Sequence, residues 1–156
     1  MRRVALGLWM ALLPACGSDD ASPADSQAGD QVAPAAVADV LEVSVTGTEE
    51  AFTFAVTIAS PDSGCGRFSD WWEVVRADGS LAYRRVLLHS HVTEQPFVRT
   101  GGPVPVAGSD SVWVRAHMSD AGYGGQAFGG TPAGGLSAMA WPADLGAGSG
   151  VEPSPS

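Results

Sequence analysis

The sequence predicts an all-β fold: a single two-sheet antiparallel β-sandwich, immunoglobulin- or fibronectin-like in architecture, flanked by disordered tails. Three observations predict it. Apolar residues alternate with polar ones in several runs of the middle block, residues 37–130, the period of a strand with one wet face. Clusters of Gly, Pro, Asp and Ser interrupt those runs at hairpin-like spacing. The flanking stretches, 16–36 and 131–156, hold too few large apolar residues to offset the entropy of ordering them.

Each element follows from its own pattern. Leu41, Val43 and Val45 alternate with Glu42, Ser44 and Thr46. Phe52, Phe54, Val56 and Ile58 alternate with Thr53, Ala55 and Thr57, and Glu49-Glu50 between the two runs reads as a solvated hairpin tip. Ser60-Pro61-Asp62-Ser63-Gly64 is a turn cluster. Trp71 to Arg76 and Leu81 to His89 form the third and fourth strands. Asp78-Gly79 between them signals a two-residue type I′ turn. Pro103, Pro105 and Gly108 confine a short extended piece to a sheet edge. Val112, Val114, Ala116 and Met118 alternate with Ser111, Trp113, Arg115 and His117, and Gly124 to Phe128 adds a last short strand. Trp72, Trp113, Phe52, Phe54 and Phe97 are the expected core. A small barrel is the alternative architecture.

The chain has 156 residues, room for one domain, and a formal charge of −9. All of its cationic side chains besides histidine are arginines. Such acidity argues against nucleic-acid binding, which needs a basic face. Two cysteines rule out a disulfide-dense scaffold. No apolar run reaches the roughly 20 residues of a membrane-spanning helix.

The N-terminus carries an address. Arg2 and Arg3 precede the apolar run Val4 to Leu13, and Leu13-Pro14-Ala15-Cys16 follows, so residues 1–15 have the three-part shape of a secretory signal peptide. The Leu-x-Ala-Cys ending resembles the lipobox of bacterial lipoproteins. That resemblance implies cleavage before Cys16 and acylation (palmitate among the chains) of its thiol and new amine. Gly17 and Ser18, in place of an Asp after the Cys, imply the outer membrane by the same resemblance. Two or more acyl chains, at about 0.8 kcal/mol per buried methylene, give a stable anchor where one gives marginal binding. Without Arg2 and Arg3 the chain holds 17 acids against 6 arginines, so lipid rather than charge would hold it at an anionic leaflet.

Candidate chemistry is sparse. His89 and His91, two apart, share one face of an extended segment, and His117 lies on another extended run. With Cys65 they make a candidate Zn or Cu set, since imidazole and thiolate suit those ions. Cys65 otherwise reads as a small buried apolar residue. No Gly-x-Ser-x-Gly elbow and no phosphate-cradling glycine loop before a helix is present, so no enzyme is expected. Trp71-Trp72 puts one indole on each face of its strand, one for the core and one as a covered edge or a ligand platform. Glu94 and Arg99, five apart across Pro96, are placed to pair. A histidine at 89 or 91 is placed to bond Glu94, which would raise the ring's pKa. Arg115, beside His117, completes the expected polar network.

Several motifs recur in order: Ser60-Pro61-Asp62-x-Gly64, Asp70-Trp71-Trp72-Glu73-Val74, His89-x-His91-Val92-x-Glu94-Gln95-Pro96-Phe97-x-Arg99, and Gly122-Tyr123-Gly124-Gly125. Together, over about residues 50 to 130, they resemble a family of bacterial exported proteins and lipoproteins without an assigned activity. The resemblance implies a single exported β domain and no particular reaction. The expectation is a lipid-anchored, non-enzymatic binding or structural module of the cell envelope, its partner a protein, glycan or small molecule. The alternative is a metal-binding envelope protein using the histidines.

Overall fold

The computed structural model describes residues 37–145. The expected signal peptide, Cys16, the expected 16–36 tether and residues 146–156 of the expected tail lie outside them. The described residues form eight strands: β1 Asp39–Thr46, β2 Phe52–Ala59, β3 Ser69–Arg76, β4 Leu81–Val86, β5 Phe97–Val104, β6 Val112–Met118, β7 Ala127–Thr131 and β8 Gly135–Met139. A single 3-10 turn, Ala143–Leu145, follows.

The strands make two antiparallel sheets, β1-β2-β5 and β4-β3-β6-β7-β8, which is the expected sandwich and not a closed barrel. Period-two alternation is what buries the core. Phe52, Phe54, Val56 and Ile58 on β2 face Trp72 and Val74 on β3 and Val112, Val114, Ala116 and Met118 on β6, all buried. Each such side chain contributes about 1.5–3 kcal/mol on leaving water. Where β5 crosses β4, Gly101 is required: a Cβ there would lie 2.7 Å from the Tyr83 ring and 2.9 Å from Trp72.

Several expectations need correction. A bulge between Val40 and Glu42 resets the alternation of β1, so Val40 is buried and Leu41 is exposed. The β3–β4 connection is not a two-residue type I′ turn. Gly79 N–H donates to the Arg76 carbonyl at 3.0 Å and only Gly79 has positive φ, at 80°, making a type I turn closed by a left-handed glycine. Asp78 Oδ1 accepts the Ser80 N–H, and the side-chain and then the backbone hydrogen bond from Ser80 hold the Asp78 carboxyl below its usual range. Of the five core candidates, Trp113 alone is only half-buried, because it points to the far face of its sheet, against Gly129. The expected tail also contributes structure. Residues 135–139 pair with β7, and the chain then runs back across the five-stranded sheet, placing Trp141 on Arg115 and the Leu145 carbonyl near Gly79.

Candidate functional site

The outer face of the five-stranded sheet carries the densest polar and aromatic cluster. Register sets it: Glu73 on β3 lies opposite Arg84 on β4 and Arg115 on β6, and Trp71 lies opposite His117. Side chains two apart on a strand share a face, so Trp71 and Glu73 point the same way. Arg84 donates to Glu73 Oε2 at 2.7 Å, and Arg115 donates to Glu73 Oε1 at 2.8 Å. All three side chains are buried. Buried charges need such pairing, since breaking a pair strands the remaining ion at a cost of about 3–5 kcal/mol.

Aromatic rings cover the ions. The Arg115 guanidinium lies 3.6 Å from the centre of the Tyr123 ring and 3.9 Å from that of Trp141. Arg84 sits 4.7 Å over Trp71. Trp71 stacks on His117, and its Nε1–H donates to the Tyr123 hydroxyl at 3.0 Å. Asp70 Oδ1 holds His117 Nδ1 at 2.6 Å, which fixes the ring against the indole. Burial pushes the Tyr123 phenol above its usual value. Between Tyr123, the Gly124-Gly125 segment and Trp141 opens a cleft of about 510 Å³, with Arg115 as its charged wall and alanines at 116, 127 and 140 beside it. That volume lies within the range of small-molecule sites.

Other candidate residues fall elsewhere. His91 is buried and stacked on Phe97 at 3.9 Å, while His89 is exposed, its ring 4.8 Å from that of His91. His117 is committed to Asp70 and Trp71. Cys65 is exposed in a turn closed by Gly64 and Arg67, not buried as expected. His89, His91, His117 and Cys65 therefore do not assemble into a metal-binding cluster, and no other such cluster occurs among the described residues. Glu94 and Arg99 pair at 2.7 Å, and the guanidinium holds the Glu94 carboxyl below its usual range. Neither histidine bonds Glu94, and His91 is held below its ordinary value by burial, the reverse of the expected rise. Arg115 belongs to Glu73, not to the Glu94–Arg99 pair.

The His89–Arg99 stretch is pinned by residues around Asp62 and Gln95. Buried Asp62 accepts from Ser60 Oγ, Ser69 N–H and His91 N–H. Gln95 accepts from Ser60 N–H and donates to the Ser60 hydroxyl and the His91 carbonyl. These bonds tie the long β4–β5 connection to the β2–β3 loop. Sequence reasoning missed Glu73, Arg84 and Asp62. An acid inside the apolar run Trp71 to Val75 was the available signal, because it needs a cationic partner.

No protein-family model and no solved structure matches the chain. Over 78 residues, 50% of its length, it is 41% identical to a protein of Halomicrobium mukohataei named "Putative lipoprotein", and the match spans 38% of that protein. The chain therefore covers well under half the length of this relative.

Proposed function

We propose that the chain is a lipid-anchored envelope lipoprotein whose β-sandwich is a non-enzymatic binding module, taking a small ligand in the cleft between Tyr123 and Trp141. The lipobox-like Leu13-Pro14-Ala15-Cys16 and the similarity to a protein named as a lipoprotein support the anchor. One observation carries the binding role: the Arg115 guanidinium is held between two aromatic rings at the wall of an open cleft, over a carboxylate that fixes it. Such a wall offers a ligand an apolar ring face and a positively charged edge. The cleft is preformed, so little ordering opposes binding.

Two measurements test the reading. Intact mass of the native product should show loss of residues 1–15 and an acylated Cys16; an unprocessed chain with a bare thiol would remove the anchor. A screen of glycans and small aromatic or aliphatic acids, followed by tryptophan fluorescence, should yield binders whose affinity falls about tenfold or more in Trp141→Ala. Binders indifferent to Trp141→Ala would place recognition outside the cleft.

A further inference from the structure

We propose that the end of the sandwich where the chain enters the domain docks on the lipid bilayer, with Leu88 and Val92 as the inserting side chains. The proposal rests on the lipid anchor proposed for Cys16 and adds an orientation to it.

Strand directions define that end. β1 begins there at Asp39, opposite Ala59 at the end of β2, and Phe97 at the start of β5 lies opposite Ile58. In the other sheet β4 ends there at Val86, opposite Trp71, and β8 ends at Met139, opposite Ala127. The Val40 N–H donates to the Gln126 carbonyl at 3.0 Å and so joins the two sheets at this end. Val37, the first described residue, lines a hollow with Pro61, Gln95 and Pro96. The chain's entry and the β4–β5 connection therefore lie side by side.

Large apolar side chains collect here. Leu41, Val86, Leu88, Val92, Val98 and Met139 are exposed and sit near these strand ends or on the β4–β5 connection, whereas among the described residues Leu81 is their one counterpart toward the far end. Single exposed apolar residues are ordinary, but their segregation to one end marks an interaction surface. Leu88 is 87% exposed and Val92 51%. Neither lies on slack chain. Leu87 is buried and its N–H donates to the Asp70 carbonyl at 2.7 Å. His91 is buried and its N–H donates to Asp62 Oδ2 at 2.7 Å. Val92 follows in a turn closed by the Glu94 N–H on the His91 carbonyl. Buried, bonded neighbours thus hold both apolar side chains out into solvent.

Charge runs the other way. Glu49, Glu50, Asp78 and Asp144 are exposed toward the far end. On the loops of the entry end Glu94 is paired with Arg99 and Asp120 with Arg67, and the exposed Glu42 is set back from these loops along β1. An anionic leaflet would repel the acidic end and leave the apolar end to face it.

Connectivity selects a bilayer over a protein partner. Residues 17–36 separate Cys16 from Val37, and a coil of that length spans roughly 25 Å, so acylation keeps this end within reach of the membrane. Apolar side chains at such an interface sink about 5–10 Å toward the acyl chains. Docking would also bring one edge of the Tyr123–Trp141 cleft to the headgroups, because Gly124 packs against Val37.

The test uses the native, processed chain with Cys65→Ser, reconstituted into phosphatidylethanolamine–phosphatidylglycerol vesicles. An environment-sensitive fluorophore is placed at Leu88→Cys or, at the far end, at Ala77→Cys; both sites are exposed, so unchanged urea midpoints should verify the fold. The Leu88 label should shift to the blue and be quenched by lipids spin-labelled near the headgroup, and the Ala77 label should do neither. Val92→Glu should lower the ratio of docked to free domain about tenfold, the worth of one buried valine. Quenching should persist from about 0.1 to 1 M salt, since apolar contact is not screened. A Leu88 label left in water while the chain sits in the lipid fraction would overturn the proposal. Equal quenching of both labels, or a blue shift without lipid quenching (contact between copies), would overturn it as well. A chain absent from the lipid fraction would instead remove the anchor, and the docking with it.

Discussion

Trp71 on β3 and His117 on β6 stack face to face, ring centres 3.7 Å apart and planes within 9°, and Asp70 fixes the imidazole from the side. The pair joins two central strands on the face turned away from the opposite sheet. Stacked aromatic pairs contribute about 0.5–1.5 kcal/mol beyond their buried area. A double-mutant cycle of Trp71→Ala and His117→Ala, read by urea unfolding, should give a coupling energy of that size; strictly additive losses would show the stack to be incidental.

Glu73 lies between two guanidiniums, so its loss should be felt more than the loss of either arginine's charge alone. Glu73→Ala leaves two buried cations facing each other and should cost about 3–5 kcal/mol in urea unfolding. Replacing Glu73, Arg84 and Arg115 together by Leu or Met should recover much of that loss. Recovery absent in the triple variant would mean that the ions are needed for the fold itself.

His91 makes stability depend on pH. Its folded pKa lies below its unfolded value, so above about pH 7.5 the ring is almost wholly uncharged in both states and contributes little slope. As pH falls through the ordinary value near 6.5, the unfolded chain takes up the proton first. Stability then falls by up to about 1.4 kcal/mol per pH unit until the folded ring also titrates. His91→Phe should flatten this slope, and denaturant midpoints between about pH 7.5 and 5 would measure it.

Gly101 has no space for a methyl group, since Tyr83 and Trp72 close on it from the other sheet. Gly101→Ala should cost about 1–3 kcal/mol through overpacking, and Gly101→Ala with Tyr83→Ala should recover part of it. A thermal melt of the two variants decides the matter.

The sandwich was legible because alternation on β2 and β6 is a direct image of burial: Phe54, Val56, Val112 and Val114 carry the pattern and the core together. Where one residue is added, the image shifts. The bulge in β1 exposes Leu41, and a bulge between Val74 and Val75 lets β3 and β4 pair despite a longer turn than Asp78-Gly79 suggested. The expected pair of Glu94 and Arg99 forms because it is local. Glu73 with Arg115, and Asp62 with His91, were hidden because strand order and loop packing create them across 42 and 29 residues. The low apolar content after residue 130 hid β8, which pairs its backbone with β7 and has only Leu136 packed against the core.

The return of the chain through Trp141 to Leu145 changes the status of β3. Residues 72 to 75 are buried without a break, including the odd-numbered ones that face away from the core. An antiparallel strand with one wet face would alternate there. The terminal segment and the Tyr123 loop thus act as a third layer above the two sheets. A chain ending at Met139 would keep every strand yet open the lid over Glu73 to solvent, so hydrogen exchange at Glu73 and Val75 would quicken before that at Val56 on the opposite sheet.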